Sequence, residues 1–111
     1  PKKYFDLYPL EKIELPPRVA GDLTGVPSQA LYANGPAWRV SDLEKRRAIR
    51  AYFASVSFID AQVGRILESL DRLKLRDNTI IVMTSDHGFL LGQHGQWMKE
   101  MLWEEAVKTP F

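Results

Sequence analysis

From Ser41 to Leu73 apolar side chains return every three or four positions, at Ile49, Tyr52, Phe53, Val56, Ile59, Val63, Ile66, Leu67, Leu70 and Leu73. That step matches the 3.6-residue turn of an α-helix and gathers these residues onto one face. Ser41-Asp-Leu-Glu44 opens the pattern with a capping box, in which the serine hydroxyl and the glutamate carboxylate each satisfy the other's backbone amide. The spacing predicts a helix over 41–73. At about 1.5 Å per residue it would run roughly 48 Å, a length that calls for a large sheet against its apolar face. Lys45, Arg46 and Asp71 fall on the opposite face and read as its solvated side, and Gly64 is a point at which the helix can bend.

After the helix, Arg76-Asp-Asn78 reads as a turn and Asn78 to Thr84 as a strand. The run Thr79-Ile-Ile-Val-Met83 is β-branched and apolar on successive positions, the pattern of a strand covered on both faces. A long helix followed by a buried strand predicts the α/β class. In open α/β sheets ligands bind beyond the carboxyl ends of the strands, and Asp86 and His87 stand there.

The first forty residues differ in kind. They hold six of the seven prolines, in clusters such as Leu15-Pro-Pro-Arg18, Gly25-Val-Pro27 and Asn34-Gly-Pro36. Proline removes amide donors and Gly and Asn favour turns, so this segment is expected to be extended and irregular. The chain thus divides into 1–40, irregular, and 41–111, carrying helix, strand and the following loop. Forty irregular residues are long for a self-contained domain. With Pro1 at one end and Lys108-Thr-Pro-Phe111 at the other, the expectation is an internal piece of a longer protein.

Composition limits the partners. Fifteen Lys and Arg against fourteen Asp and Glu leave a net charge of +1, which offers no electrostatic footprint for nucleic acid or an anionic membrane. The absence of cysteine excludes disulfides, thiolate zinc sites and a cysteine nucleophile within these residues. No apolar run approaches the ~20 residues needed to span a bilayer. Cellular compartment and oligomeric state are left open by the residues.

Chemistry concentrates in Thr84 to Lys99, TSDHGFLLGQHGQWMK. A carboxylate and an imidazole side by side at Asp86 and His87, with Gly88 permitting a sharp bend, can converge on a metal ion. A hard oxygen and a nitrogen suit zinc or manganese at least as well as calcium. Read structurally, Asp86 would cap a helical turn and His87 would be a satisfied core imidazole. Gly92, His94 and Gly95 mark a second tight loop, and Lys99 follows. An ammonium near a metal implies an anion between them, and sulfate or phosphate esters fit, since cation and lysine together neutralise their oxygens.

Three runs carry a resemblance. They are Ala51-Tyr-Phe-Ala-Ser-Val-Ser-Phe-Ile-Asp-Ala-Gln-Val-Gly-Arg65, then Asp77-Asn-Thr-Ile-Ile-Val-Met-Thr-Ser-Asp-His-Gly88, and Leu91-Gly-Gln-His-Gly95 with Trp97-Met-Lys99. The chain resembles the type I, formylglycine-dependent sulfatases, and within them the iduronate-2-sulfatase group; Pro1 to Leu10 resembles the segment after that group's Lys-Pro-His motif. The resemblance implies a three-layer αβα domain of the alkaline-phosphatase-like kind, calcium as the metal and a sulfated carbohydrate as substrate. It places Asp86 and His87 on two calcium ligands and Lys99 on the lysine that contacts sulfate and stabilises the leaving oxygen. His94 falls in the His-Gly loop, as loop support or substrate contact, and Trp97 either stacks on a sugar or packs. By family the compartment would be periplasmic, secreted or lysosomal.

The same resemblance exposes what these residues lack. No Ser or Cys begins a Cys/Ser-x-Pro-x-Arg motif, so the formylglycine is absent, as are the pair of Asp ligands expected upstream. The isolated chain is therefore expected not to turn over substrate. Two other readings stay open at this point: a metal-dependent phosphohydrolase or phosphonate hydrolase of the same superfamily, and a non-catalytic structural piece.

Overall fold

The computed structural model describes residues 1–31 and 40–110. Its dominant element is the expected helix, here α2, at Asp42–Arg72, preceded by α1 at Lys2–Phe5. The capping box forms as read. The Ser41 amide donates to Glu44 Oε2 at 2.8 Å and the Glu44 amide donates to Ser41 Oγ at 3.3 Å, which satisfies amides that have no partner within the helix. α2 passes through Gly64 without a break. The turn at Arg76–Asn78 is a single 3-10 turn.

The chain folds as two units, Pro1–Ile13 with Arg46–Val82, and Glu14–Lys45 with Met83–Phe111. In the first, α1 and the residues after it lie along α2. Tyr4 meets Phe58 edge-on at 5.6 Å and Tyr8 meets Phe53 at 5.5 Å. The Tyr8 hydroxyl hydrogen-bonds to Ser57 Oγ at 2.6 Å. Arg50 donates to the Phe5 carbonyl through Nε and Nη2, and Arg46 donates to that of Ile13. Ile13, Ile49 and Ala54 are buried by these contacts.

One expectation fails at the end of this unit and the start of the next. The run Thr79 to Thr84 joins no strand ladder, and Ile80, Val82 and Met83 are 93%, 73% and 68% exposed. Strand hydrogen bonds are made to another strand, and a parallel sheet needs neighbours and covered faces. Among the described residues no strand lies beside this run, so its apolar pattern finds nothing to bury against.

The second unit carries the only ladder among the described residues. β1, Leu90–Leu91, pairs antiparallel with β2, Trp97–Met98, with Leu90 opposite Met98 and Leu91 opposite Trp97. A small core forms where Leu90 packs with Met101, Trp103 and Ala106, the last on α3, Glu104–Val107. The segment 1–40, expected to be irregular, contains α1 and 3-10 turns at Leu10–Lys12 and Ser28–Ala30 among its described residues; the expected Asn34-Gly-Pro36 turn lies outside the described residues.

Candidate active site

The residues singled out by chemistry all lie in the second unit. Asp86, His87 and Gly88 form a turn ahead of β1. Gly88 is required there: its amide donates to the Ala106 carbonyl, and a Cβ at this position would stand 2.9 Å from that same oxygen, closer than real Cβ atoms come. α3 therefore presses on the turn backbone to backbone. The Ser85 hydroxyl donates to the His87 carbonyl at 3.0 Å and holds the approach to the turn.

Between β1 and β2 the chain reverses through Gly92, with φ 111°, and Gly95, with φ 67°. His94, Met98 and Glu100 also take positive φ, at 55°, 94° and 68°, although each carries a Cβ. Left-handed backbone costs such residues about 1–2 kcal/mol apiece, so contacts elsewhere hold them there. The Gly92 amide donates to the Gln96 carbonyl at 2.9 Å and the Gln96 amide to that of Gln93 at 2.8 Å, which closes the loop. Lys99 follows β2 directly, between two left-handed residues.

The hairpin brings Lys99 back onto the turn. Its Nζ lies 2.6 Å from Asp86 Oδ2, across thirteen positions of sequence. Both side chains are substantially exposed, 46% and 78%, and an ion pair of that kind contributes little to stability. The Lys99 ammonium, first by its hydrogen bond and then by its charge, holds the Asp86 carboxyl below its ordinary value of 3.8. Asp86 is thus an anion at any pH well above that value, and whatever the pair contributes to the fold is lost as pH falls through the lowered pKa.

The His87 ring lies between two carbonyls, Nδ1 at 2.7 Å from Gly88 O and Nε2 at 3.2 Å from Met101 O. A neutral imidazole donates to one of them. With the proton on Nδ1, the Gly88 carbonyl fixes the ring, as in a ligating histidine, and the Nε2 lone pair here faces the Met101 carbonyl. Among the described residues no three His, Cys, Asp or Glu side chains gather as a metal site. Asp86 and His87 supply one hard oxygen and one nitrogen, a donor pair that suits one edge of a divalent site and leaves the rest of the coordination shell to other residues.

His94 and Trp97 are placed differently. His94 Nδ1 lies 2.9 Å from Asp22 Oδ2 and Nε2 lies 3.4 Å from Glu105 Oε2, and the ring stacks on Trp103 at 3.9 Å and 12°. Partial burial pulls its pKa down, but Asp22 and then Glu105, by hydrogen bond and charge, raise it above the usual 6.5 on balance. Trp97 is 7% exposed, and its ring edge stands against Gly92 so closely that a Cβ there would lie 3.2 Å away. Trp97 is in a packing position. Sequence reasoning missed Asp22 and Glu105 altogether: Asp22 meets His94 across 72 positions, and no spacing rule connects them.

A family model described as Sulfatase matches residues 9–111. The chain is 43% identical over 116 residues to a sulfatase of Formosa agariphila, covering 99% of this chain and 23% of that protein. It is 40% identical over 124 residues to the iduronate 2-sulfatases of Mus musculus and Homo sapiens, covering 99% of this chain and 22% of each. The fold class is thus that of an α/β, alkaline-phosphatase-like domain, seen here in its long helix and short ladder. The chain belongs to the Sulfatase family. It spans less than a quarter of the length of these relatives. Sulfatases generally use a divalent metal and a formylglycine.

Proposed function

We propose that this chain supplies part of the active site of a sulfuric ester hydrolase that removes sulfate from a sulfated sugar, such as an iduronate-2-sulfate unit of a glycosaminoglycan. Asp86 and His87 are the ligands it gives to the divalent ion, which is calcium, and Lys99 binds the sulfate. The observation that carries this reading is the 2.6 Å approach of Lys99 Nζ to Asp86 Oδ2 beside His87. It sets an ammonium next to an exposed carboxylate and an imidazole, where it adds little to the fold. The names of the matching iduronate 2-sulfatases support the substrate class.

When bound, the cation polarises the ester and neutralises charge on the sulfate oxygens, and the formylglycine, whose precursor motif is absent from these 111 residues, supplies the nucleophile. The work of this chain's own residues is positional and electrostatic. The Lys99 ammonium donates hydrogen bonds to sulfate oxygens and offsets the charge that grows on the leaving oxygen, and Asp86 keeps the ammonium in place until the anion arrives. His87 is oriented by the Gly88 carbonyl. Trp97, buried within the hairpin, packs against Gly92.

In the full-length protein, Lys99→Ala is expected to lower turnover of an aryl sulfate ester by about 10²–10³-fold, the usual effect of losing one positioned donor. The urea midpoint should hardly move, because the side chain is half exposed. Unchanged turnover would sink the assignment of Lys99.

A further inference from the structure

The proposed sulfate-binding lysine sits on a hairpin whose own ladder is only two residue pairs long. A ladder that short does not fix a side chain at its exit, and the positive φ angles at Met98 and Glu100, on either side of Lys99, add strain. Something else holds this loop. A polar side chain well placed to do so is His94, with a carboxylate on each ring nitrogen and an indole on its face.

The two carboxylates come from different places. Asp22 belongs to the segment 17–24, which walls a cleft of about 430 Å³ with Arg18, Thr24, His94 and Gly95. Glu105 belongs to α3, the element whose Ala106 carbonyl receives the Gly88 amide of the Asp86-His-Gly88 turn. α3 is therefore a shared strut: its backbone holds the turn with the proposed metal ligands, and its Glu105 side chain holds the loop that leads to Lys99.

We propose that Asp22 and Glu105 are positioning residues that act through His94, clamping the hairpin so that Lys99 stands at the sulfate. The proposal rests on the sulfatase reading of Lys99 and names residues to which nothing in the motif points. A protonated ring donates to both carboxylates at once, whereas a neutral ring donates to one and turns a lone pair toward the other. The clamp is complete only when His94 is charged. Besides Asp22 and Glu105, Arg18 lines the same cleft, with its guanidinium 3.7 Å from Asp42 Oδ1. The two carboxylates outweigh partial burial in favour of the imidazolium, and stacking on Trp103 adds to it.

The sign of the pH dependence follows. Because the folded pKa of His94 is raised above 6.5, the clamp is fully present below that value and loosens as pH rises through the folded one. In the full-length protein, Asp22→Asn, Glu105→Gln and His94→Asn are to be compared with the wild type. Asparagine keeps the tolerance for left-handed backbone and removes the clamp. Each variant is expected to weaken competitive inhibition by inorganic sulfate, and to raise KM for an aryl sulfate ester, by about 10- to 100-fold, the scale of a misplaced binding group. Calcium binding, followed by calorimetry, should change less than about twofold, since the proposed ligands are untouched. Sulfate binding by the wild type should weaken on the alkaline side, and Asp22→Asn should move that limb to lower pH.

Wild-type sulfate affinity in all three variants overturns the clamp, and so does a parallel loss of calcium affinity, which would mark a purely structural role. Should the variants fail to fold, the wild type still decides by NMR titration of its labelled histidine rings. A wild-type His94 pKa above 6.5 supports the clamp, and one below 6.5 overturns it. A wild type that binds sulfate in this pH-dependent way but hydrolyses no sulfate ester sinks the proposed function and leaves the clamp standing.

Discussion

The helical unit and the hairpin unit are stabilised in opposite ways. α2 satisfies its backbone within itself, and much of its apolar side is open, with Val56, Ile59 and Ile66 between 54% and 62% exposed. The hairpin unit has a ladder of only two pairs, yet it contains Leu90 and Ala106 at 0% exposure and a histidine bonded across 72 positions. The helix backbone is ordered by neighbours in sequence, with Pro1–Ile13 packed along it, whereas the hairpin is ordered by contacts between distant residues. Damage should therefore spread differently: a side chain lost from the hairpin core undoes several segments together, whereas one lost from the open helix face touches little.

The largest expected effect is at the hairpin core. Leu90→Ala leaves a cavity against Met101, Trp103 and Ala106 and should cost about 2–5 kcal/mol, read from the urea midpoint. Gly88→Ala comes next, at about 1–3 kcal/mol for forcing atoms into a filled space, because the obstacle is the backbone of Ala106 rather than a flexible side chain. A near-neutral Gly88→Ala would show that α3 is free to move off the turn, and the contrast between the regions would weaken.

These two positions also mark what was legible in the sequence. α2 was readable almost to the residue, since a capping box and a three- and four-residue rhythm are local signals and a helix makes its hydrogen bonds locally. The run Thr79 to Thr84 misled for the converse reason: β-branched apolar residues state a preference for a sheet, but the partners that make a strand are non-local, and the described residues provide none. In the hairpin, residue types pointed to Asp86, His87, His94 and Lys99 as chemistry, and the glycines pointed to tight turns. That Lys99 lies on Asp86, that His94 is held by Asp22 and Glu105, and that Met98 and Glu100 are left-handed could not be read. Each depends on where the chain returns in space, and Met, Glu and Lys carry no local sign of it.

At the start of α2 the effects should be smaller. Ser41→Ala removes the hydroxyl that receives the Glu44 amide and should cost about 1 kcal/mol, the ordinary value of an N-cap. Helical content measured by circular dichroism should fall only at the first turn, since the residues from Arg46 onward keep their contacts with Pro1–Ile13.

The smallest change is expected on the open face. Ile66 is 62% exposed, so Ile66→Ser removes little buried area, and isoleucine and serine have similar helix propensities. The urea midpoint should move by less than about 0.5 kcal/mol, the range of surface substitutions. This is the sharpest test of the contrast, because Ile66 belongs to the same apolar periodicity that predicted the helix and would be a core residue if that face were covered. A loss approaching that of Leu90→Ala would mean that the face is buried in solution, against a second copy or another segment, and concentration dependence of the midpoint would separate those two.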